Sequence, residues 1–127
     1  MNLNHIGIIN RTSDEAIRFY RDFFGLEITK ESVIPAALSV QLFNVSTDIS
    51  VIVFEKNGTK IEVFIAPDYK PATPDIIHSG FFVDEIKRVL EKAGRSGIEV
   101  IIGKTAEKTI YFLRDLSGNL IEVKQKQ

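Results

Sequence analysis

The sequence predicts an α+β protein made of two similar halves, each running strand–helix–strand–strand–strand. Three observations carry this. The chain's two histidines sit in matching strings, His5-Ile6-Gly7-Ile8-Ile9 and His78-Ser79-Gly80-Phe81-Phe82. Each string leads into an amphipathic stretch of helical period. Each half later reaches the same tripeptide, Ile61-Glu62-Val63 and Ile121-Glu122-Val123.

The elements follow in order. Leu3–Asn10 is apolar enough for a buried strand. Thr12-Ser13-Asp14-Glu15 has the form of a capping box, and Ala16, Phe19, Tyr20 and Phe23 continue it at helical spacing. Gly25 is a natural left-handed stop. Leu26–Val33 reads as a strand. Pro35–Phe43 favours a short helix, with Pro at a first position and Leu38 and Leu42 at i, i+4. Ile49–Glu55 and Lys60–Ala66 are strands, and Asn57-Gly58 between them is a strong hairpin signal. The prolines of Pro67–Pro74 make that stretch a loop.

The second half restarts with a strand at Ile76–Val83. Asp84 is placed to cap a helix whose stripe is Ile86, Val89, Leu90 and Ala93, ended by Gly94. Strands follow at Ile98–Ile102, Thr109–Arg114 and Asn119–Lys124, with Ser117-Gly118-Asn119 as the last turn. The 127 residues thus form a single domain, with modules 1–67 and 75–127 joined by loop 68–74. His5 to Glu62 spans 57 residues and His78 to Glu122 spans 44. The first half's excess falls at Pro35–Phe43, which reads as an elaboration over a cleft or at a subunit contact.

Composition excludes several functions. Sixteen basic and seventeen acidic residues give a net charge of −1, so neither nucleic acid nor an anionic membrane is the expected partner. There are no cysteines, hence no disulfide, thiolate ligand or cysteine nucleophile. The N-terminus has no basic region followed by an apolar one, and no apolar run approaches the ~18 residues of a membrane span. A soluble cytoplasmic protein is expected.

Strand alternation puts His5 with Gly7, and His78 with Gly80, on one face of each first strand. Glu62 and Glu122 have the equivalent position in the closing strands. One His–Glu pair would be an ordinary strand feature. Two equivalent pairs, using every histidine in the chain, point to a metal site: His5, Glu62, His78 and Glu122. Two imidazoles and two carboxylates suit one divalent ion, Ni, Co, Zn, Fe or Mn. A six-coordinate ion would keep two positions for water or a small-molecule substrate. Glu62 and Glu122 are then the candidate catalytic bases, placed to move a proton at carbon next to a carbonyl. Arg11, Arg114 and Lys124 are candidate anion contacts, and Phe64, Phe82 and Phe112 candidate lining for a planar ligand.

The strings Asn4-His5-Ile6-Gly7-Ile8, Phe19-Tyr20-Arg21-Asp22-Phe23-Phe24-Gly25-Leu26, Asn57–Val63 and Phe112-Leu113-Arg114-Asp115 through Ser117–Glu122 resemble the vicinal oxygen chelate superfamily. That superfamily includes glyoxalase I, methylmalonyl-CoA epimerase, extradiol dioxygenases, fosfomycin-resistance transferases and bleomycin-binding proteins. The resemblance implies paired βαβββ modules around an open, barrel-like, glyoxalase-like cleft. It also implies that His5, Glu62, His78 and Glu122 are the metal ligands, and that the protein is a homodimer. It favours a metal-dependent lyase or isomerase of the glyoxalase I or acyl-CoA epimerase type. The alternatives are an Fe(II) ring-cleaving dioxygenase, which would not need a ligand at Glu62, and a non-catalytic small-molecule-binding module. The segment Lys104–Lys108 lacks the glycine-rich loop expected in glyoxalase I or the epimerase.

Overall fold

The structure is a computed structural model that describes residues 1–72 and 74–127. The fold is α+β, with two four-stranded mixed sheets. The chain divides into two compact units, Met1–Tyr69 and Lys70–Gln127. Thr73, within the expected loop 68–74, lies outside the described residues.

In the first unit the order is β1 (Ile6–Asn10), α1 (Ser13–Ala16, continuing as a π-helical segment, Ile17–Phe23), β2 (Glu27–Ile34), α2 (Ala36–Phe43), β3 (Ile49–Lys56) and β4 (Thr59–Ile65). The second unit runs β5 (His78–Val83), α3 (Ile86–Ser96), β6 (Val100–Lys104), β7 (Thr109–Arg114) and β8 (Leu120–Gln125). The two sheets share one topology, β1-β4-β3-β2 and β5-β8-β7-β6, with the first strand parallel to the last. The sheets are separate and neither closes into a barrel.

Local chemistry explains most boundaries. The Thr12 hydroxyl accepts the Glu15 N–H at the start of α1, and Gly25 follows the helix at φ +78°. Asn57 and Gly58 both have positive φ, 50° and 82°. A tight turn with two left-handed residues matches the twist of the β3–β4 hairpin. The Asp115 carboxylate accepts the N–H groups of Ser117 and Asn119, which folds the last turn back on itself.

Two expected signals act otherwise. Asp84 does not cap α3. It pairs with Lys126 at 3.0 Å, Glu85 takes the cap position, and the Ile86 N–H donates to the Gln125 side chain. Gly94 does not end α3 either. The helix runs through it to Ser96, and Gly97 at φ +68° is the left-handed stop. The first strands are also shorter than expected, starting at Ile6 and His78.

Each unit has its own core. In the first, Tyr20 and Phe54 are fully buried with ring centroids 5.7 Å apart, joining α1 to one sheet face. In the second, Ile121, Val123 and Leu113 are buried, and Ala93 is the buried residue of α3. Among the described residues no helix is long and apolar enough to cross a membrane.

Candidate metal centre

The register places the four predicted residues equivalently. In the first unit Gly7 pairs with Glu62, Glu62 with Val53, and Val53 with Lys30, so one face reads Gly7–Glu62–Val53–Lys30 across the sheet. In the second the matching row is Gly80–Glu122–Phe112–Ile101. Each histidine stands two residues before its glycine, on the same face by strand alternation.

Each unit brings its own pair together. His5 Nε2 lies 2.6 Å from Glu62 Oε2, and His78 Nε2 lies 3.5 Å from Glu122 Oε2. All four side chains are partly exposed. Among the described residues no group of three or more metal-ligating side chains comes together.

The other ring nitrogens are also engaged. His5 Nδ1 is 2.8 Å from Asn4 Oδ1, and His78 Nδ1 is 2.9 Å from the Ile76 carbonyl. A backbone carbonyl only accepts, so the His78 Nδ1 must carry a proton. That leaves the Nε2 lone pair facing the Glu122 carboxylate, and two lone pairs repel. A second ring proton or a metal ion has to stand between them. The 3.5 Å of this pair leaves room for an ion, since two donors each about 2.1 Å from a divalent metal and at right angles lie about 3 Å apart, whereas the 2.6 Å of His5–Glu62 is a direct contact. Fixing the tautomer through Nδ1 is how proteins orient a ligating imidazole.

The surroundings differ. Phe112 packs edge-on against the His78 ring at a centroid distance of 5.0 Å. Phe64 shares the face of Glu62 but packs edge-on against Phe43 of α2, ring centroids 5.6 Å apart. The extra helix of the first half therefore covers part of the His5–Glu62 face. A Cβ on Gly7 would meet the Phe64 ring at 3.3 Å, whereas one on Gly80 would meet nothing within 4 Å. Only the second glycine leaves the open room expected beside both histidines.

The candidate anion contacts also separate. Arg11 pairs with Glu15 at 3.0 Å. Arg114 binds Glu99, Asp75 and the Gly118 carbonyl, which makes it a staple of the second unit. Lys124 Nζ lies 3.5 Å from Glu122 Oε1, beside the pair itself. A concavity of about 810 Å³ opens there, with Glu122, Lys124, Phe82, Ile110 and Lys108 among its lining. Lys108 was not legible as part of this lining, because only the β6–β7 turn brings it to the concavity.

Comparison with known proteins places the chain in a family and a fold. The family model of the glyoxalase/bleomycin resistance protein/dioxygenase superfamily matches residues 2–123. Among curated proteins no sequence matches. A glyoxalase family protein from Enterococcus faecalis is similar in structure at a TM-score of 0.74 and 20% identity, covering 96% of this chain and 95% of that one. One from Bacillus cereus gives 0.77 at 15% identity, covering 98% and 93%. A mutant of the fosfomycin resistance protein FosX from Listeria monocytogenes, complexed with Mn(II) and 1S,2S-dihydroxypropylphosphonic acid, gives 0.70 at 16% identity, covering 96% and 87%. The matched model spans nearly the whole chain, and the chain belongs to the glyoxalase/bleomycin resistance protein/dioxygenase superfamily.

Proposed function

We propose that the protein is a divalent-metal-dependent lyase or isomerase acting on carbon adjacent to a carbonyl. His5, Glu62, His78 and Glu122 together hold one ion, contributed by one chain or by two chains of a homodimer. The two modules work as one domain around it. The observation that carries this reading is the His78–Glu122 pair. Its Nδ1 is committed as a donor, so its Nε2 faces a carboxylate with room for a cation between them. The likeness to a FosX crystallised with Mn(II) makes manganese the first ion to try, ahead of Ni, Co, Zn and Fe.

When bound, the ion supplies Lewis-acid polarisation of a carbonyl oxygen. The chain's own contribution is proton movement. Glu62 and Glu122 stand at equivalent register positions of two sheets. One takes a proton from the adjacent carbon, and the other can return one to a neighbouring position. His5 and His78 orient those carboxylates. The substrate is a small molecule, and a cytoplasmic location suits a chain without cysteine.

The test is solvent-deuterium exchange at the carbon next to the carbonyl of 2-oxo acids and acyl thioesters, followed by NMR. Metal-loaded protein should catalyse exchange, and Glu62→Gln and Glu122→Gln should each abolish it. Loaded protein that exchanges no substrate of either class, or variants that keep the wild-type rate, would contradict the proposal.

A further inference from the structure

We infer that Asp75 is a positioning residue for His78: held by Arg114, it fixes the Ile76 carbonyl that commits the His78 Nδ1 as a donor, and so keeps Nε2 bare toward Glu122. The purpose of this device rests on the metal reading above, since a bare Nε2 is what an ion takes. The contacts that build it do not depend on that reading.

Register brings the parts together. His78 pairs with Leu120 and Leu120 with Arg114, so the three form one row at the start of β5. Arg114 stands two residues beyond Phe112, on the face that carries His78 and Glu122. Its Nη1 donates to the Gly118 carbonyl at 2.7 Å and lies 3.3 Å from Asp75 Oδ2. The turn at Gly118 is closed by the Asp115 carboxylate, which accepts from the N–H groups of Ser117 and Asn119. Pro71 packs on the same turn, 3.0 Å from where a Cβ on Gly118 would stand. The stretch before β5 is thus tied to the β7–β8 turn at Pro71 and again at Asp75.

Ile76 and Ile77 lie outside the strands and are 78% and 85% exposed, so their side chains do not anchor the chain there. The Ile76 carbonyl nonetheless sits 2.9 Å from His78 Nδ1, while Glu122 Oε2 is 3.5 Å from Nε2. A neutral ring has one proton for these two acceptors. The shorter contact takes it, because 3.5 Å is too long for a good hydrogen bond. Were the carbonyl to move away, the proton would pass to Nε2, where Glu122 attracts it and where it blocks an ion. Asp75 is one residue from that carbonyl and its side chain is largely buried, so its ion pair sets where the carbonyl falls. His5 has a different support: its Nδ1 partner is the side chain of its exposed neighbour Asn4.

The test reads both histidine rings by long-range proton–nitrogen NMR in metal-free protein at about pH 9, where imidazole is neutral. Wild type should hold His78 in the Nδ1–H tautomer. Asp75→Ala should move it mainly to the Nε2–H tautomer, and Asp75→Asn, which keeps the side chain's size, should move it in part. Glu99→Gln is the control, because it removes the other carboxylate on Arg114, 3.0 Å from Nε, and leaves Asp75 in place. It should leave His78 as in wild type, and the His5 ring should not change in any variant. Manganese affinity should fall by at least about tenfold in Asp75→Ala, the loss typical of a group that supports a ligating histidine, and be unchanged in Glu99→Gln. A His78 tautomer unmoved in both Asp75 variants, or moved equally by Glu99→Gln, would overturn the positioning role. The expected tautomer shift in a protein that binds no manganese in any form would overturn the metal reading and leave the role of Asp75 standing.

Discussion

The two His–Glu pairs occupy the same register position in two sheets of the same topology, yet they are not the same site. His5 and Glu62 are in close contact at 2.6 Å, and the neighbouring strand position, Phe64, is sealed by Phe43 of α2. His78 and Glu122 are 3.5 Å apart, and the position equivalent to Phe64 is Lys124, beside an open concavity. The register repeats the donors, and the side chains around them differ. The first pair is a direct contact with Phe43 and Phe64 packed beside it. The second is looser, with the charge of Lys124 and an open concavity next to it.

The cores contrast in the same way. The first unit adds fully buried Phe19, Tyr20 and Phe54 to aliphatics such as Ile61 and Val63, whereas the buried apolar residues of the second are aliphatics such as Leu113 and Ile121. Phe54→Ala should therefore cost about 3–5 kcal/mol and Ile121→Val about 0.5–1.5 kcal/mol, read from urea denaturation. A cost below about 2 kcal/mol for Phe54→Ala would contradict its fully buried place in the first core. Next in size is a difference between two left-handed glycines. Gly118→Ala puts a Cβ 3.0 Å from Pro71 at φ +93°, whereas Gly58→Ala, at φ +82°, meets nothing within 4 Å. Both should lose about 1–2 kcal/mol to the backbone conformation, and Gly118→Ala more, because it also displaces the proline. The smallest effect expected is for Phe43→Ala. The ring is 47% exposed, so thermal unfolding should report a loss of only about 1 kcal/mol. If α2 does shield the first pair, that variant should also speed proton exchange at the His5 ring while leaving His78 unchanged.

What could be read from the sequence was mostly what local chemistry decides. Thr12, Gly25 and Asn57-Gly58 act through hydrogen bonds and φ values spanning a few residues, and each does what its spacing implies. The Pro35–Phe43 helix was legible from Pro35 with Leu38 and Leu42. The pairing of each histidine with its own glutamate was legible because the repeat supplied the register. Features set by distant partners were not. Asp84 is drawn off its capping role by Lys126, 42 residues away. Gly94 stays helical because the stop lies at Gly97. Phe112 against His78, and Lys108 at the concavity that Glu122 also lines, depend on how β7 and the β6–β7 turn fall beside β8, which no local motif encodes.

The central claim is that two equivalent pairs make one metal centre. It is tested most directly by manganese titration of wild type, His5→Ala and His78→Ala, with elemental analysis of stoichiometry. One ion per chain should bind to wild type, and either substitution should weaken it by more than about a hundredfold, beyond the loss typical of a supporting partner. Two ions per chain with each variant keeping one, or no stoichiometric metal in wild type, would contradict the account.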